Sequence, residues 1–232
     1  MDPEDGADAW TLGEAGLLST APHARAAAMA GDDATAIALG VAACREGLEE
    51  AAIVPLDRTL PDAEILAMRK ELEGGAAFAE VLRRRGARLD LGTLVPWGRW
   101  VTPEAEQRRF DARFFLLALP DQQLGAHDER ETTHSFWGRP ADVVKRFVGG
   151  EVFLAPPTLR SLELLADCAT IEAAVALANE QSLLPICPRF VFDEKAPYLA
   201  LPGDPSHEIA ERRIAGKSRF VLRDARFLSE DP

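Results

Sequence analysis

The sequence contains few of the residues that mark disulfide-stabilised, zinc-binding or phosphate-loop proteins. Its 232 residues include three cysteines, Cys44, Cys168 and Cys187, which are widely spaced and form no C-x-x-C pair. This odd, scattered set argues against a disulfide framework and a zinc site, and favours a reducing compartment. A G-x-x-x-x-G-K phosphate loop and a Ser/His/Asp order are also missing from the sequence. We therefore expect a cytoplasmic protein.

Positive charge and long apolar runs are scarce as well. The chain has 26 Lys and Arg residues against 38 Asp and Glu residues, a formal net charge of -12. Such a field repels phosphate backbones, so we expect no nucleic-acid partner, and a polyanionic substrate would need a bound cation. No apolar run approaches the roughly 20 residues that span a bilayer, and the opening MDPEDGADAW is too acidic for a signal peptide. We expect no membrane partner.

What is present fits an ordinary globular protein. The chain is 47% hydrophobic and 28% charged, which predicts one domain over residues 1–232 with a substantial core. Residues 1–33 are rich in Ala, Gly and Asp, so we predict loop there, with a marginal helix after Thr20 and Pro22. Helices and strands then alternate irregularly, which favours an α+β fold over a doubly wound parallel sheet.

Helical patterns occur in three parts of the chain. Apolar residues at steps of four, three and four predict a helix from about residue 34 to 52. The stretch DAEILAMRKELEGGAAFAEVLRRRG is interrupted by Gly74 and Gly75, which predicts two short helices. PADVVKRFVGG predicts a helix with Pro140 in its first turn, and PPTLRSLELLADCATIEAAVALANEQ predicts two more. We assign these last three to a helical annex over residues 140–185.

Strand chemistry dominates elsewhere. TLVPWGRWVTP and RRFDARFFLLALP are rich in aromatic and branched residues and predict neighbouring strands, with ETTHSFWGRP as a shorter candidate. PRFVFDEKAPYLALPGD and SRFVLRDARFL predict strands or hairpins near the end. We interpret the aromatic side chains of this region as core and sheet-packing residues, in preference to a base-stacking platform. They are Trp97, Trp100, Phe110, Phe114 and Phe115.

The predicted helix at residues 34–52 carries an acidic face. At about 100° per residue, Glu49 and Glu50 lie within roughly 60° on either side of Glu46, opposite the apolar face. Like charges at this spacing destabilise a helix by about 0.2–0.5 kcal/mol per pair, and Arg45 can reach Glu49 at i+4 without neutralising the cluster. A hard divalent cation such as Mg²⁺ would relieve the repulsion. The alternative is a solvated charged face, and spacing alone leaves both open.

The string CREGLEEAAIVP, and within it REGLEEAAI, resembles the core of the Nudix box, Arg-Glu-apolar-x-Glu-Glu-x-Gly-apolar. Further strings resemble, in the same order over nearly the whole chain, the Nudix branch that contains the peroxisomal coenzyme A diphosphatases. These strings are PWGRWVTPE, RRFDARFFLLALP, ETTHSFW, LAPPTLRSLELLA, LPGDPSH and RFVLRD. The resemblance implies a Nudix-type α/β/α sandwich with a mixed sheet, plus additional helices.

The resemblance also implies a set of site residues. Glu46, Glu49 and Glu50 are the implied ligands of Mg²⁺ or Mn²⁺, and Arg45 is the arginine that orients the glutamates. Arg45, Glu46 and Glu49 form the implied catalytic set together with Glu131, an additional ligand or base outside the box. Glu129 competes with Glu131 for that role, and either can be an ordinary surface carboxylate. His134 more closely fits a surface or core histidine than a base.

The implied function is hydrolysis of the diphosphate linkage in a nucleoside diphosphate derivative. Coenzyme A or acyl-coenzyme A is the first candidate, with 3',5'-ADP and 4'-phosphopantetheine or its acyl form as products. A different hypothesis is a degenerate Nudix domain that binds nucleotides or a protein partner and cleaves nothing. A third is a structural protein whose acidic face is merely solvated.

The sequence departs from the Nudix pattern at several positions. Gly47 stands where the box has a large apolar residue, and Ala52 replaces the glycine before Ile53. Gly31 matches the box glycine by spacing, but Ile37 then replaces an expected glutamate, so we interpret the Gly31 match as accidental. The chain opens at MDPEDGADAW, a segment that in members of the family follows a first strand and a glycine loop. Either the start codon is placed too late, or we expect a natural truncation whose open sheet edge is covered by another element or by a second chain in a homodimer.

Overall fold

The computed structural model describes residues 12–104, 106–126, 135–193 and 195–232. Contacts divide the chain into two compact units. Unit 1 comprises Met1–Pro96 and Phe115–Phe136, and unit 2 comprises Trp97–Phe114 and Trp137–Pro232. Each unit is therefore assembled from two separate stretches of sequence. That the whole chain forms one domain stays a prediction.

The helices of unit 1 begin and end close to where the sequence places them. They are α1 (Ala26–Ala30), α2 (Asp33–Ala51), α3 (Asp62–Glu73) and α4 (Phe78–Arg85). Asp32 precedes α2, and its carboxylate accepts a hydrogen bond of 2.8 Å from the Thr35 amide and so caps the first turn. Gly74 ends α3, as the glycine pair predicted. The predicted long helix and the division into two short helices are both confirmed.

The apolar face of α2 supports the core of unit 1. Val41, Cys44 and Leu48 are 0–1% exposed and pack among residues of α3 and α4, whereas Ile37 is half-buried. Burial raises the pKa of the Cys44 thiol strongly, so this cysteine is an inert core residue. The predicted core face of the helix is confirmed.

Residues 12–33, the described part of the predicted loop, contain regular structure that the sequence did not predict. Strand β1 (Leu18–Thr20) pairs in parallel with β2 (Leu89–Asp90), which leads into a 3₁₀ turn at Leu91–Thr93. The Ser19 hydroxyl also donates to the Leu89 carbonyl at 2.9 Å. Three residues are too few to show alternation, which is why the sequence does not reveal β1. The marginal helix is α1, but it does not begin at Thr20.

Strands β3 (Val95–Val101) and β4 (Asp111–Leu116) pair with each other, which confirms the predicted neighbouring strands. Trp97 and Trp100 are each 4% exposed, and Phe114 is half-buried, as expected of core residues. Phe110 is 57% exposed, so its assignment to the core is wrong. It precedes β4, whereas Trp97, Trp100 and Phe114 lie within β3 and β4.

Unit 2 continues with helices and a four-stranded antiparallel sheet. The helices are α5 (Pro140–Val148), α6 (Pro156–Leu165) and α7 (Ile171–Glu180). The sheet has the order β5 (Arg189–Val191), β6 (Tyr198–Ala200), β7 (Arg219–Arg223) and β8 (Arg226–Glu230). These helices and late strands confirm the sequence patterns. The third strand candidate lies partly outside the described residues, and its residues 135–139 form neither helix nor strand.

A buried carboxylate ties the loop before β7 to the sheet. Asp204 is 2% exposed and accepts hydrogen bonds from the Ser218 hydroxyl at 2.7 Å, from the Ser206 amide at 2.8 Å and from Arg219 Nε at 2.8 Å. Every oxygen of this buried charge therefore has a donor, which is the condition for burying it.

With helices and with both parallel and antiparallel strand pairs, the described residues confirm the α+β class. None of the described helices combines the length and the apolar character that crossing a bilayer requires.

Candidate active site

The last two turns of α2 carry the predicted site residues. Glu46 and Glu50 are exposed and Glu49 is half-buried, while Cys44 and Leu48 on the opposite side are buried. The helical period of 3.6 residues produces this division, because positions three and four apart share a face. The structure thus places Glu46, Glu49 and Glu50 on one outward side of α2.

Arg45 holds the orientation of this face. Its Nη1 donates a hydrogen bond of 2.5 Å to Glu49, and its Nη2 lies 3.5 Å from Glu46. The Arg45 side chain is 22% exposed, which makes the pair less screened than a surface ion pair. The predicted i+4 contact between Arg45 and Glu49 is confirmed.

The end of α2 explains two departures from the Nudix pattern. Ala52 adopts a left-handed conformation with φ of 52°, and its amide donates to the Leu48 carbonyl at 3.1 Å. The Ile53 amide donates to the Gly47 carbonyl at 3.0 Å, and a Cβ added to Gly47 would lie 3.0 Å from the Ile53 carbonyl oxygen. A larger residue at Gly47 would therefore push Ile53 away from the C-terminal end of α2. Ala52 takes the conformation that glycine adopts most easily.

Residues 123–126, in the second stretch of unit 1, hold the C-terminal end of α2 in place. Gln123 is 3% exposed, accepts a hydrogen bond of 2.9 Å from the Val54 amide and donates one of 2.8 Å to the Val54 carbonyl. The Ala126 amide donates to the Ala51 carbonyl at 2.8 Å. Sequence reasoning missed Gln123, because a glutamine in the polar string PDQQLG has no periodicity that distinguishes it from a surface residue.

The chemistry of the acidic face suits a hard cation, since carboxylate oxygens are the ligands that Mg²⁺ prefers. Within the described ranges, however, no three His, Cys, Asp or Glu side chains form a group that could hold a metal ion. Glu46 and Glu49 both lie close to Arg45. Arg45 contacts Glu49 through Oε2, and a carboxylate has two oxygens, so binding of an ion does not require this contact to break.

Three further candidates, Glu129, Glu131 and His134, lie outside the described residues. The structure therefore brings together Arg45, Glu46 and Glu49, and adds Glu50 on the same face. The catalytic role of Glu131 stays a prediction.

Comparison with known proteins agrees with this geometry. The model of the NUDT19 Nudix domain matches residues 11–165, a range that contains α2 with its acidic face. The chain belongs to the NUDT19 Nudix family. Arg45 and the three glutamates therefore lie in a Nudix domain, and the family assignment made from REGLEEAAI is confirmed.

Relatives of this Nudix chain come from several sources. The acyl-coenzyme A diphosphatase NUDT19 of Gallus gallus is 27% identical over 179 residues, which cover 75% of this chain and 43% of that protein. The same-named protein of Homo sapiens is 30% identical over 152 residues, covering 58% of this chain and 40% of that protein. The chain thus matches less than half the length of these curated relatives.

A solved structure supports the fold. The NUDIX hydrolase from Alicyclobacillus acidocaldarius superposes with a TM-score of 0.55 at 28% identity, covering 75% of this chain and 76% of its own. The predicted Nudix fold is therefore confirmed.

Proposed function

We propose that the protein hydrolyses the diphosphate linkage of coenzyme A or an acyl-coenzyme A with the help of Mg²⁺ or Mn²⁺. The products would be 3',5'-ADP and 4'-phosphopantetheine or its acyl form. The observation that carries the proposal is the Arg45–Glu49 pair on an exposed carboxylate face, inside the stretch matched by the NUDT19 Nudix model. The curated relatives named acyl-coenzyme A diphosphatase support the choice of substrate.

The proposed roles follow from the positions of the side chains. Glu46, Glu49 and Glu50 would hold the ion on the outward face of α2. When bound, the ion supplies positive charge that neutralises the diphosphate oxygens and makes a nearby water more acidic. Arg45 keeps the Glu49 carboxylate in one orientation, which reduces the reorganisation needed during the reaction.

The reaction itself needs one water molecule. Its oxygen forms a bond to one phosphorus while the bond from that phosphorus to the bridging oxygen breaks. A carboxylate of the acidic face or Glu131 accepts the water proton, and each product keeps one of the two phosphates of the cleaved diphosphate.

Substitution of single carboxylates tests the proposal. Glu49→Gln and Glu50→Gln should each lower the rate of Mg²⁺-dependent product formation from coenzyme A by about 100-fold or more, because each removes a charged ligand. Glu80→Gln is the matched control, because Glu80 is exposed like Glu50 but lies on α4. Wild-type rates in the two α2 variants would exclude the metal role of this face.

A second candidate function is binding of a coenzyme A derivative without cleavage. It is favoured by the finding that, in the described part of the chain, no ready-made group of metal-binding side chains is present. Isothermal titration separates the two: a binding module takes up coenzyme A but yields no product with Mg²⁺ or Mn²⁺. The homodimer and the cytoplasmic location stay predictions.

A further inference from the structure

The described part of unit 2 contains a cavity of about 490 Å³. Its walls come from β3, β4, the start of α6 and the strands of the antiparallel sheet, and they consist mainly of aromatic rings and prolines. Trp100, Phe114, Phe190 and Phe227 supply rings, and Pro156 and Pro157 lie at the start of α6. The volume falls within the range of about 300–1,000 Å³ that is usual for small-molecule sites.

The cavity changes in character from its floor to its rim. Trp100 and Leu199 at the floor are 4% and 7% exposed, whereas Phe110 at the rim is 57% exposed. Arg108 is also exposed at the rim, and its guanidinium lies 5.0 Å from the centre of the Phe110 ring. The site therefore suits a ligand with an apolar tail and a polar head.

Polar recognition inside the cavity is limited. Thr102 supplies one of the few polar groups in the lining. Its hydroxyl accepts a hydrogen bond of 2.9 Å from the Phe110 amide and donates one of 3.3 Å to the Phe110 carbonyl. Glu106 and Arg108 are exposed. A nucleobase would leave its donors and acceptors unpaired against such walls, whereas an alkyl chain has none to satisfy.

We propose that this cavity binds the acyl chain of an acyl thioester, with the thioester carbonyl at the rim beside Arg108. The floor would take the methyl end of the chain, against Trp100 and Leu199. The choice of a thioester over a free fatty acid rests on the proposed function. The apolar site itself rests only on the cavity of unit 2.

The test measures binding without metal, so that it does not depend on cleavage. Isothermal titration in EDTA compares coenzyme A with its butyryl, octanoyl and lauroyl thioesters, and uses laurate as a separate ligand. Affinity should rise with chain length because each added methylene leaves water, and lauroyl-coenzyme A should bind at least about tenfold more tightly than coenzyme A.

Two variants localise the gain in affinity. Ala112→Trp places an indole in the cavity from β4, and should abolish the advantage of the lauroyl thioester while leaving coenzyme A affinity unchanged. The matched control is Ala173→Trp, at an exposed position of α7 in the same unit. If Ala112→Trp does not fold by circular dichroism, Phe110→Ala replaces it, because this exposed rim residue can be truncated at little cost and should still reduce the lauroyl advantage severalfold.

Equal affinities for coenzyme A and lauroyl-coenzyme A in the wild type would overturn the proposal. An unchanged lauroyl advantage in the cavity variant would also overturn it. So would binding of laurate without any gain in affinity for lauroyl-coenzyme A, which would assign the cavity to free fatty acids. A protein that cleaves nothing but shows the chain-length series refutes the proposed function and supports the acyl site.

Discussion

Arg45 lies one helical turn before Glu49 and donates a hydrogen bond of 2.5 Å to its carboxylate. The pair is intrahelical, so α2 places both side chains. Arg45 also lies 3.5 Å from Glu46 and therefore acts on two of the three proposed ligands.

Loss of this arginine should reduce turnover without unfolding the protein. We expect Arg45→Ala to lower kcat by about tenfold or more with a smaller change in KM, because Glu49 loses its fixed orientation. Arg45→Lys should recover only part of the rate, since an ammonium lacks the planar fork of the guanidinium. Steady-state kinetics with coenzyme A and Mg²⁺ measure both effects. Arg84→Ala, which breaks an exposed pair with Glu71, is the control, and an unchanged kcat in Arg45→Ala would show that the pair is only structural.

Metal binding should appear as a gain in thermal stability. Mg²⁺ at about 100 times its Kd adds about 2.7 kcal/mol to the unfolding free energy of a protein that binds it only when folded. We expect a rise in Tm for the wild type, and no rise for the triple variant with Gln at positions 46, 49 and 50. Without metal the triple variant should melt no lower than the wild type, because it removes crowded like charges. Differential scanning calorimetry in EDTA and in Mg²⁺ tests this, and an equal response of both proteins contradicts it.

Two glycines of the same helix should respond oppositely to alanine. Gly40→Ala should stabilise the protein by up to about 1 kcal/mol through helix propensity, because its new methyl would meet Leu91 at an ordinary contact of 3.4 Å. Gly47→Ala should destabilise it by about 1 kcal/mol or more, because the methyl would lie 3.0 Å from the Ile53 carbonyl. Urea denaturation of the two variants gives the comparison. Equal increases in the free energy of unfolding of both variants would mean that the C-terminal end of α2 accommodates the added methyl without cost.

The sequence predicted the helices well and the end of α2 poorly, for a physical reason. Periodicity and caps are local, so α2 and the pair Arg45–Glu49 follow from spacing alone. The close approach of Gly47 to Ile53 and the bonds from Gln123 to Val54 join segments whose contact no local pattern encodes. The same holds for the cavity of unit 2, whose rings lie far apart in sequence and were predicted only as core.

Acid should weaken unit 2 through Asp204. Burial alone would raise the pKa of this carboxyl, but the hydrogen bonds from Arg219, Ser206 and Ser218 outweigh burial and hold the pKa below its ordinary value. A lowered pKa in the folded state contributes stability that is complete above the unfolded value of about 3.9 and is lost as the pH falls through the folded value. We expect Asp204→Asn to lower the unfolding free energy at pH 7 by at least about 1.5 kcal/mol, and to reduce the further loss below pH of about 4.

Urea denaturation at neutral and acidic pH checks this behaviour. Asp167→Asn, at an exposed position of the same unit, is the control and should change neither quantity. If Asp204→Asn retained the full acid sensitivity of the wild type, other carboxylates would have to be responsible.

The two hydrogen bonds between Gln123 and Val54 also determine when, during synthesis of the chain, the end of α2 becomes stable. Unit 1 is interrupted in sequence by Trp97–Phe114, so a nascent chain that has reached residue 96 still lacks the side chain that satisfies the Val54 amide and carbonyl. Ribosome-bound chains arrested at residue 96 should therefore be digested by protease near Val54 more rapidly than chains whose residue 126 has left the exit tunnel. The helix with the acidic face would reach its final stability only after the translating ribosome has produced the first strands of the other unit.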